Sequence, residues 1–363
     1  MPPTASTRSL PVVLSGPPRE RGRAHGEALR PLIRELLEAW DEDVGNEVGM
    51  SLPAYLDIFE ADTDFLPAIR KWTPHLIDEV EGIAEGANIP LRVCRCLQCM
   101  DEHWTHLDTL QASRPDKCST LAAAPSDTAP TILGQNMDLP KFLDGFQTLL
   151  KIEYESGLQV LIPSYAGFLG LFGVNSFGLG LCVNAISQLK QASQGLPVAF
   201  VVRGVLERQD CARAADWLHR LPHASGQNYL MGDPAGLVDL ECCTAGVVRH
   251  EPNAKATLCH TNHPLASEEL GDDYLGWDED RSRANEAHAL TFERLDTLER
   301  ELRRGPHDAV SLRPMLAAVA HRIDCPYPTF TFCSAVLELQ TEPCMHIALG
   351  RPDVTPYRTF RLA

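Results

Sequence analysis

The chemistry in this chain starts from one oddly placed cysteine. In "PDKCSTLAAA", residues 115–124, a charged, turn-rich stretch runs into Cys118, two hydroxyl residues and then an apolar run. A core cysteine lies inside its element, and a metal-ligating cysteine has a partner two residues away. Cys118 has neither setting and leads what reads as a buried strand. If the Lys117–Cys118 bond is cut, Cys118 carries two useful groups on one residue. Its thiol is a nucleophile with a free pKa of about 8.5. Its liberated α-amine, with a pKa of about 7.7–8.0, is a base matched to neutral pH. The amine can then take the thiol proton without a separate histidine. The strand fixes the nucleophile, and the exposed loop before it can be released by the cut.

Other constellations compete with this reading. "CRCLQCMDEHWTH" offers Cys94, Cys96, Cys99, His103 and His106. Zinc sites show two separated ligand pairs, whereas the steps of three and four here describe one face of a half-buried helix. Cys242 and Cys243 are adjacent in a strand and point to opposite faces. His260 and His263 would serve an uncleaved Cys-His hydrolase. A catalytically inactive binding protein of the same fold is a further alternative. No G-x-S-x-G elbow, H-E-x-x-H pair or phosphate loop is present, and "GVNSFGLG" lacks the dinucleotide pattern. No cofactor and no metal are expected.

The elements that would hold Cys118 fall into two textures. Residues 19–40 place Leu29, Leu32, Ile33, Leu36 and Leu37 at helical spacing, and further helices are expected in "DFLPAIRKW" and from Pro74, with Thr73 as N-cap. Residues 1–117 thus read as a mainly helical segment. From residue 118 to 363, strand-like runs with short Gly, Pro, Asn and Asp separators predict antiparallel hairpins. Helices are expected over 198–221, 280–304 and 308–322, and closing strands in "TFTFCSAVLEL" and "CMHIALG". Strand runs interleaved with helix runs make an α+β protein with helices packed on antiparallel sheets, both segments forming one structural unit.

Bulk properties bound the partners. The 363 residues are 44% hydrophobic, ample for a core, and carry a net charge of −17. That charge argues against nucleic acid and against an anionic membrane surface. No stretch approaches the roughly 20 apolar residues of a membrane span. The first twenty residues hold only "PVVL" as an apolar run, so a cytoplasmic location is expected, with the twelve cysteines reduced.

Several segments, in order, resemble one family: "RGRAHGE", "EVEGIAEGA", "CSTLAA", "GQNMDL", "GVNSFGLGLCVNAI", "PVAFVVRGVLE", "CHTNHPL" and "TFCSAVLEL". They are similar, from about residue 20 to about 350, to the acyl-CoA:6-aminopenicillanic acid acyltransferase (isopenicillin N acyltransferase-like) family of N-terminal-nucleophile hydrolases. The choloylglycine hydrolases are more distant cousins. The resemblance implies a four-layer αββα sandwich. It implies self-cleavage before the cysteine, with small α and larger β fragments staying associated. It implies amide chemistry through a thioester acyl-enzyme, by hydrolysis or by transfer to an acceptor amine. Homo-oligomers are compatible with it. By resemblance Cys118 is the nucleophile, Asp138 orients its amine and Asn262 serves the oxyanion hole. Asn136, Asn175, Asn184 and His263 stand as further substrate or oxyanion candidates. The chain departs from the family by Lys117, where glycine often precedes the cysteine. It departs also by Gln135, where the choloylglycine branch carries arginine.

Overall fold

The structure is a computed structural model and describes residues 11–110, 118–127, 129–274, 286–305, 307–321, 324 and 329–362. Lys117 lies outside the described residues. The N-terminal part holds strand β1 (Val12–Ser15) and helices α1 (Pro18–Val48), α2 (Leu52–Asp62), α3 (Leu66–Trp72), α4 (Pro74–Ala87), α5 (Leu91–Leu97) and α6 (Met100–Leu110). After Cys118 come β2 (Ser119–Ala123), β3 (Thr131–Pro140), β4 (Gln147–Glu153), β5 (Gln159–Tyr165), β6 (Gly173–Asn175) and β7 (Gly180–Ala185). Helices α7 (Val198–Leu206) and α8 (Cys211–Leu218) follow, then β8 (Gln227–Asp233), β9 (Gly236–Cys243), β10 (Gly246–His250) and β11 (Thr257–His260). The chain closes with α9 (Glu286–Leu302), α10 (Ala309–Ala318), β12 (Thr329–Leu339), β13 (Cys344–Ala348) and β14 (Arg358–Arg361).

The strands form an eight-stranded sheet, β1-β4-β5-β6-β7-β8-β9-β10, and a six-stranded sheet, β11-β2-β3-β12-β13-β14. Every pairing is antiparallel except β1 with β4. The sheets face each other, with Leu133 and Leu339 of the small sheet packed over Gly180 and Gly232 of the large one, where a Cβ would leave no room. Helices α9 and α10 cover the small sheet through Leu295, Leu298, Leu312 and Leu316. Helices α7 and α8 lie against β6 to β9 on the other side. The result is the expected α+β, four-layer αββα sandwich.

The family-like segments "RGRAHGE" and "EVEGIAEGA" turn out to be structural. Gly22 and Gly26 of α1 meet Gly82 and Gly86 of α4 so closely that a Cβ at any of them would sit 1.9–2.3 Å from a backbone oxygen of the facing helix. Glycine costs helix stability, and here it permits backbone contact. Beside this seam, the buried Glu79 carboxylate accepts from Arg21 and from Arg203 of α7, with Arg203 Nη1 at 2.7 Å and Arg21 Nη2 at 2.6 Å. Burial pushes Glu79 up, but Arg203 and Arg21 outweigh it and hold the carboxyl down at about 2. Arg203 is thereby committed to tying helices together.

Three expectations need correction. Residues 198–221 are two helices, because Asp210 caps a new start by accepting from Arg213 N at 2.8 Å. The helical N-terminal segment also contributes β1, an edge strand of the large sheet. Thr73 does precede α4, but its hydroxyl bonds back to the Ile69 carbonyl rather than capping the new helix.

Candidate active site

Strand register explains how residues far apart in sequence meet. In β11 and β2, His260 pairs with Thr120 at the end of the paired register, and just beyond it Arg294 donates both to the Cys118 carbonyl and to Asn262 Oδ1. In β2 and β3, Ser119 pairs with Asn136, which sets Met137 beside Cys118. The Cys118 Sγ to Met137 Sδ distance of 3.5 Å agrees. In β3 and β12, Asp138 pairs with Thr331 and Met137 with Cys333, across a bulge in β12. One end of four neighbouring strands thus gathers Asn262, Cys118, Asp138 and Cys333. Burial, with Cys118 and Asp138 nearby, pushes the Cys333 thiol well above its ordinary range, so it stays a neutral packing group.

A cleft opens on this end. Its inner part is lined by Cys118, Met137, Tyr165, Phe168, Leu171 and Val183, and it is continuous through Asp101, Trp104, Asp138, Ala185 and Gln227 with a polar outer part. Cys118 is 7% exposed and Asp138 4%, so the thiol faces the cleft rather than open solvent.

Asn262 is held from several sides. Its backbone N–H donates to Thr291 Oγ1 at 2.8 Å, and its carbonyl accepts from Gln188 Nε2 at 3.2 Å. Its amide oxygen accepts from Arg294 Nη2 at 3.0 Å, and its Nδ2 donates to the Ala185 carbonyl at 2.9 Å. Ala185 lines the cleft and Asn262 itself does not, so the amide sits behind the wall with one further N–H on its nitrogen. An uncharged donor fixed in this way suits a developing oxyanion.

Arg294 was not singled out from the sequence. Its guanidinium is buried and donates to the Cys118 carbonyl, to Ser119 Oγ at 2.8 Å and to Asn262 Oδ1. One planar fork thus ties α9 to both the Cys118 backbone and the asparagine amide. The signal was available: Thr291, Arg294, Leu295, Leu298 and Leu302 share the buried stripe of α9, and a charge on an apolar stripe calls for a partner. Asp101 was also missed. It sits on α6 and lines both parts of the cleft, with Gln227 Nε2 at 3.4 Å. Burial, together with the neighbouring Glu102, pushes the Asp101 carboxyl up to about 7.

The remaining candidates serve the scaffold. Asn136 Nδ2 donates to the Leu316 carbonyl and pins α10 to β3. Asn175 spends its amide on the Leu206 and Arg208 carbonyls and on the Phe177 and Leu179 N–H groups, closing a turn. Asn184 accepts from Thr120 Oγ1 at 2.8 Å between the sheets. The His263 ring lies on Phe292 at 4.3 Å, with Nδ1 beside the Thr261 and Thr291 hydroxyls. None of these four is among the residues lining the cleft. Gln135 bridges the sheets through both the N–H and C=O of Val183.

His260 is fully buried and bonded through Nε2 to Glu241 at 2.8 Å and through Nδ1 to the Thr261 carbonyl. Burial opposes its protonation, but Glu241 outweighs that and raises its pKa. Cys94 and Cys96 are driven up to about 12 by burial, as expected of packing thiols. They do not converge with Cys99 and His103. Among the described residues, ligand-type side chains converge instead at Glu338, Cys344 and His346 on β12 and β13.

The family match makes this α+β protein an acyltransferase or amide hydrolase. Residues 124–312, just over half the chain, match the family model described as "Acyl-coenzyme A:6-aminopenicillanic acid acyl-transferase", and the chain belongs to that family. The match opens just after Cys118 and contains Asp138, Asn262 and Arg294. A relative from Emericella nidulans, the 40 kDa form of acyl-coenzyme A:6-aminopenicillanic-acid-acyltransferase, is 24% identical over 259 residues, 70% of each chain. Solved structures with similarity include the N-acylethanolamine-hydrolyzing acid amidase ortholog of Caenorhabditis elegans, at TM-score 0.47 and 17% identity over 68% of this chain and 100% of that one. Penicillin V acylase from Agrobacterium tumefaciens aligns at TM-score 0.44 and 14% identity, covering 68% and 86%.

Proposed function

We propose that this chain is an N-terminal-cysteine amidohydrolase or acyltransferase that matures by cutting its own Lys117–Cys118 bond. The observation that carries the reading is the single strand end where Cys118 faces a cleft, flanked by Asp138 and by Asn262, with Arg294 bridging cysteine and asparagine. Residues 1–117 would form the small fragment and 118–363 the large one. The two are held together by β1 on β4, by Glu79 with Arg203, and by Glu102 accepting from Val198 N and Ser225 Oγ.

The mechanism follows from the groups present. The Cys118 amine, oriented by Asp138, takes the thiol proton. The thiolate attacks the amide carbonyl carbon, and the developing oxyanion is held by Asn262 Nδ2–H. As the C–N bond breaks, the protonated amine gives its proton to the leaving nitrogen. Water or an acceptor amine then attacks the thioester carbonyl, which returns the thiol and releases an acid or a new amide. The substrate is a small-molecule or peptide-like amide or acyl donor. We place the reaction in the cytoplasm, where the free, buried cysteines remain reduced. No helix among the described residues is long and apolar enough to cross a membrane.

The engagement of His260 and His263 elsewhere disfavours a Cys-His pair. Replacing Cys118 by alanine should abolish both cutting and turnover, read by intact mass and by amine release. Retained turnover would remove Cys118 from the mechanism, and an intact, unreactive wild-type chain would favour a non-catalytic binding protein.

A further inference from the structure

Away from the cleft, one cluster has the chemistry of a ligand set. In the hairpin of β12 and β13, Glu338 pairs with Cys344 and Val336 with His346. Alternation along β13 puts Cys344 and His346 on one face, and the register brings Glu338 to the same face. Glu338 Oε2 lies 2.9 Å from Cys344 Sγ and 2.9 Å from His346 Nε2, and Sγ lies 3.5 Å from Nε2. A sulfur, an imidazole nitrogen and a carboxylate oxygen thus close a triangle. None of the three residues lines the cleft. Residues 331 to 338 of β12 put roughly 23 Å of strand between the triangle and the Thr331 end.

The dimensions suit a small tetrahedral ion. Zinc holds sulfur at about 2.3 Å and imidazole nitrogen or carboxylate oxygen at about 2.0–2.2 Å, which sets such atoms roughly 3.3–3.6 Å apart around the ion. The Sγ–Nε2 edge already has that length. The two edges to Oε2 need to open by about half an ångström, and the Glu338 side chain, 25% exposed, can swing outward to allow it. His346 is presented as metal-binding histidines are. Its Nε2 faces the triangle, while Nδ1 lies 2.8 Å from Thr359 Oγ1 on β14, a hydroxyl that can accept Nδ1–H and leave Nε2 with its lone pair free. Cys344 and His346 are buried, so the carboxylate occupies the solvent side. Arg361, opposite Cys344 on β14, opposes a cation by its charge but favours the ionised carboxylate and thiol that an ion needs. A sulfur with an imidazole selects zinc over magnesium and calcium, which take oxygen ligands.

We propose that Glu338, Cys344 and His346 form a Zn²⁺ site that clips β12 to β13, with a fourth coordination place open to water on the exposed side. Binding here needs neither the cut at residue 117 nor turnover. The unfolded chain does not gather these ligands, so the ion stabilises the folded hairpin.

The test uses the purified full chain, reduced, stripped with a chelator and titrated with Zn²⁺ against a chromophoric zinc indicator. The wild type should take up one equivalent with Kd below about 1 μM. Cys344→Ser and His346→Gln should each weaken that equivalent at least about hundredfold, and Thr359→Val about tenfold. A hundredfold excess of free Zn²⁺ over Kd should raise the wild-type melting temperature by at least about 3 °C, and Mg²⁺ should not move it. Co²⁺ in the same place should give a sulfur-to-metal charge-transfer band that Cys344→Ser abolishes. Thr359 is exposed on its strand, so Thr359→Val and the wild-type cobalt band decide the matter even where a buried ligand variant fails to fold. A wild-type chain with no equivalent tighter than about 1 μM would overturn the proposal. So would an equivalent that all three variants retain unchanged, because it would belong to other cysteines.

Discussion

Arg294 is the residue on which the site's geometry turns. Its guanidinium sets the position of the Cys118 carbonyl and the orientation of the Asn262 amide at once. Replacing it with methionine would leave both acceptors without their charged donor, and a misplaced oxyanion donor is expensive in rate. Arg294→Met should lower kcat by about 10²-fold with a smaller change in KM. Arg294→Lys should recover little, because one ammonium cannot span three acceptors. Unchanged kcat in Arg294→Met would show that Asn262 is oriented without it. The contrast between what was and was not legible is sharp at this scale. Cys118 stands out because its place at a strand start is odd by itself. Arg294 and Asp101 become visible only when α9 and α6 are laid against the cleft, because each reads locally as one more charge on an amphipathic helix.

At the scale of elements, the α1–α4 seam and its charge network carry the helical segment. Gly82→Val would drive a side chain into the Arg19 carbonyl of the facing helix, 2.1 Å from its Cβ. It should cost roughly 1–3 kcal/mol or more in urea unfolding, as overpacking does. The Glu79 network gives a pH signature. Its carboxyl is depressed to about 2 in the folded chain and titrates near 4.3 when unfolded. A depressed acid adds stability in full above the unfolded value and loses it as the pH falls through the folded one. The contribution, on the order of 3 kcal/mol, should therefore fade between about pH 4.5 and pH 2. Glu79→Gln should be less stable at pH 7 by about 3–5 kcal/mol, because it strands two buried guanidiniums. Its stability should fall less than that of the wild type between pH 6 and pH 3. Equal losses would deny Glu79 this role. The glycine segments stood out in the sequence only through the family resemblance, and their purpose was hidden, since nothing local says that two such helices cross each other. The break between α7 and α8 falls in the polar stretch Glu207–Asp210, which reads equally well as one exposed turn of a continuous helix, and only the capping geometry of Asp210 reveals the new start.

For the whole molecule, helices on antiparallel sheets were legible because short strands with turn residues between them leave few alternatives to hairpins, whereas the four-layer sandwich was implied only by the family resemblance. What brings Asn262 to Cys118 was not, because strand order and register are set by packing between sheets rather than by any local pattern. β1 escaped for the same reason: four residues become a strand only by borrowing the edge of β4. Because the helical segment enters the large sheet and shares the buried Glu79–Arg203 pair, a cut at residue 117 should leave both fragments in one particle on gel filtration under native conditions. The central claim is that position 118 becomes a free N-terminus, so that the cysteine's own amine is the base. Intact mass followed by N-terminal sequencing of the purified, active protein tests this most directly. The account predicts two polypeptides whose masses sum to that of the 40.0 kDa chain plus one water, the larger beginning Cys118-Ser119-Thr120. A fully active preparation made of one unbroken 40.0 kDa chain would contradict it.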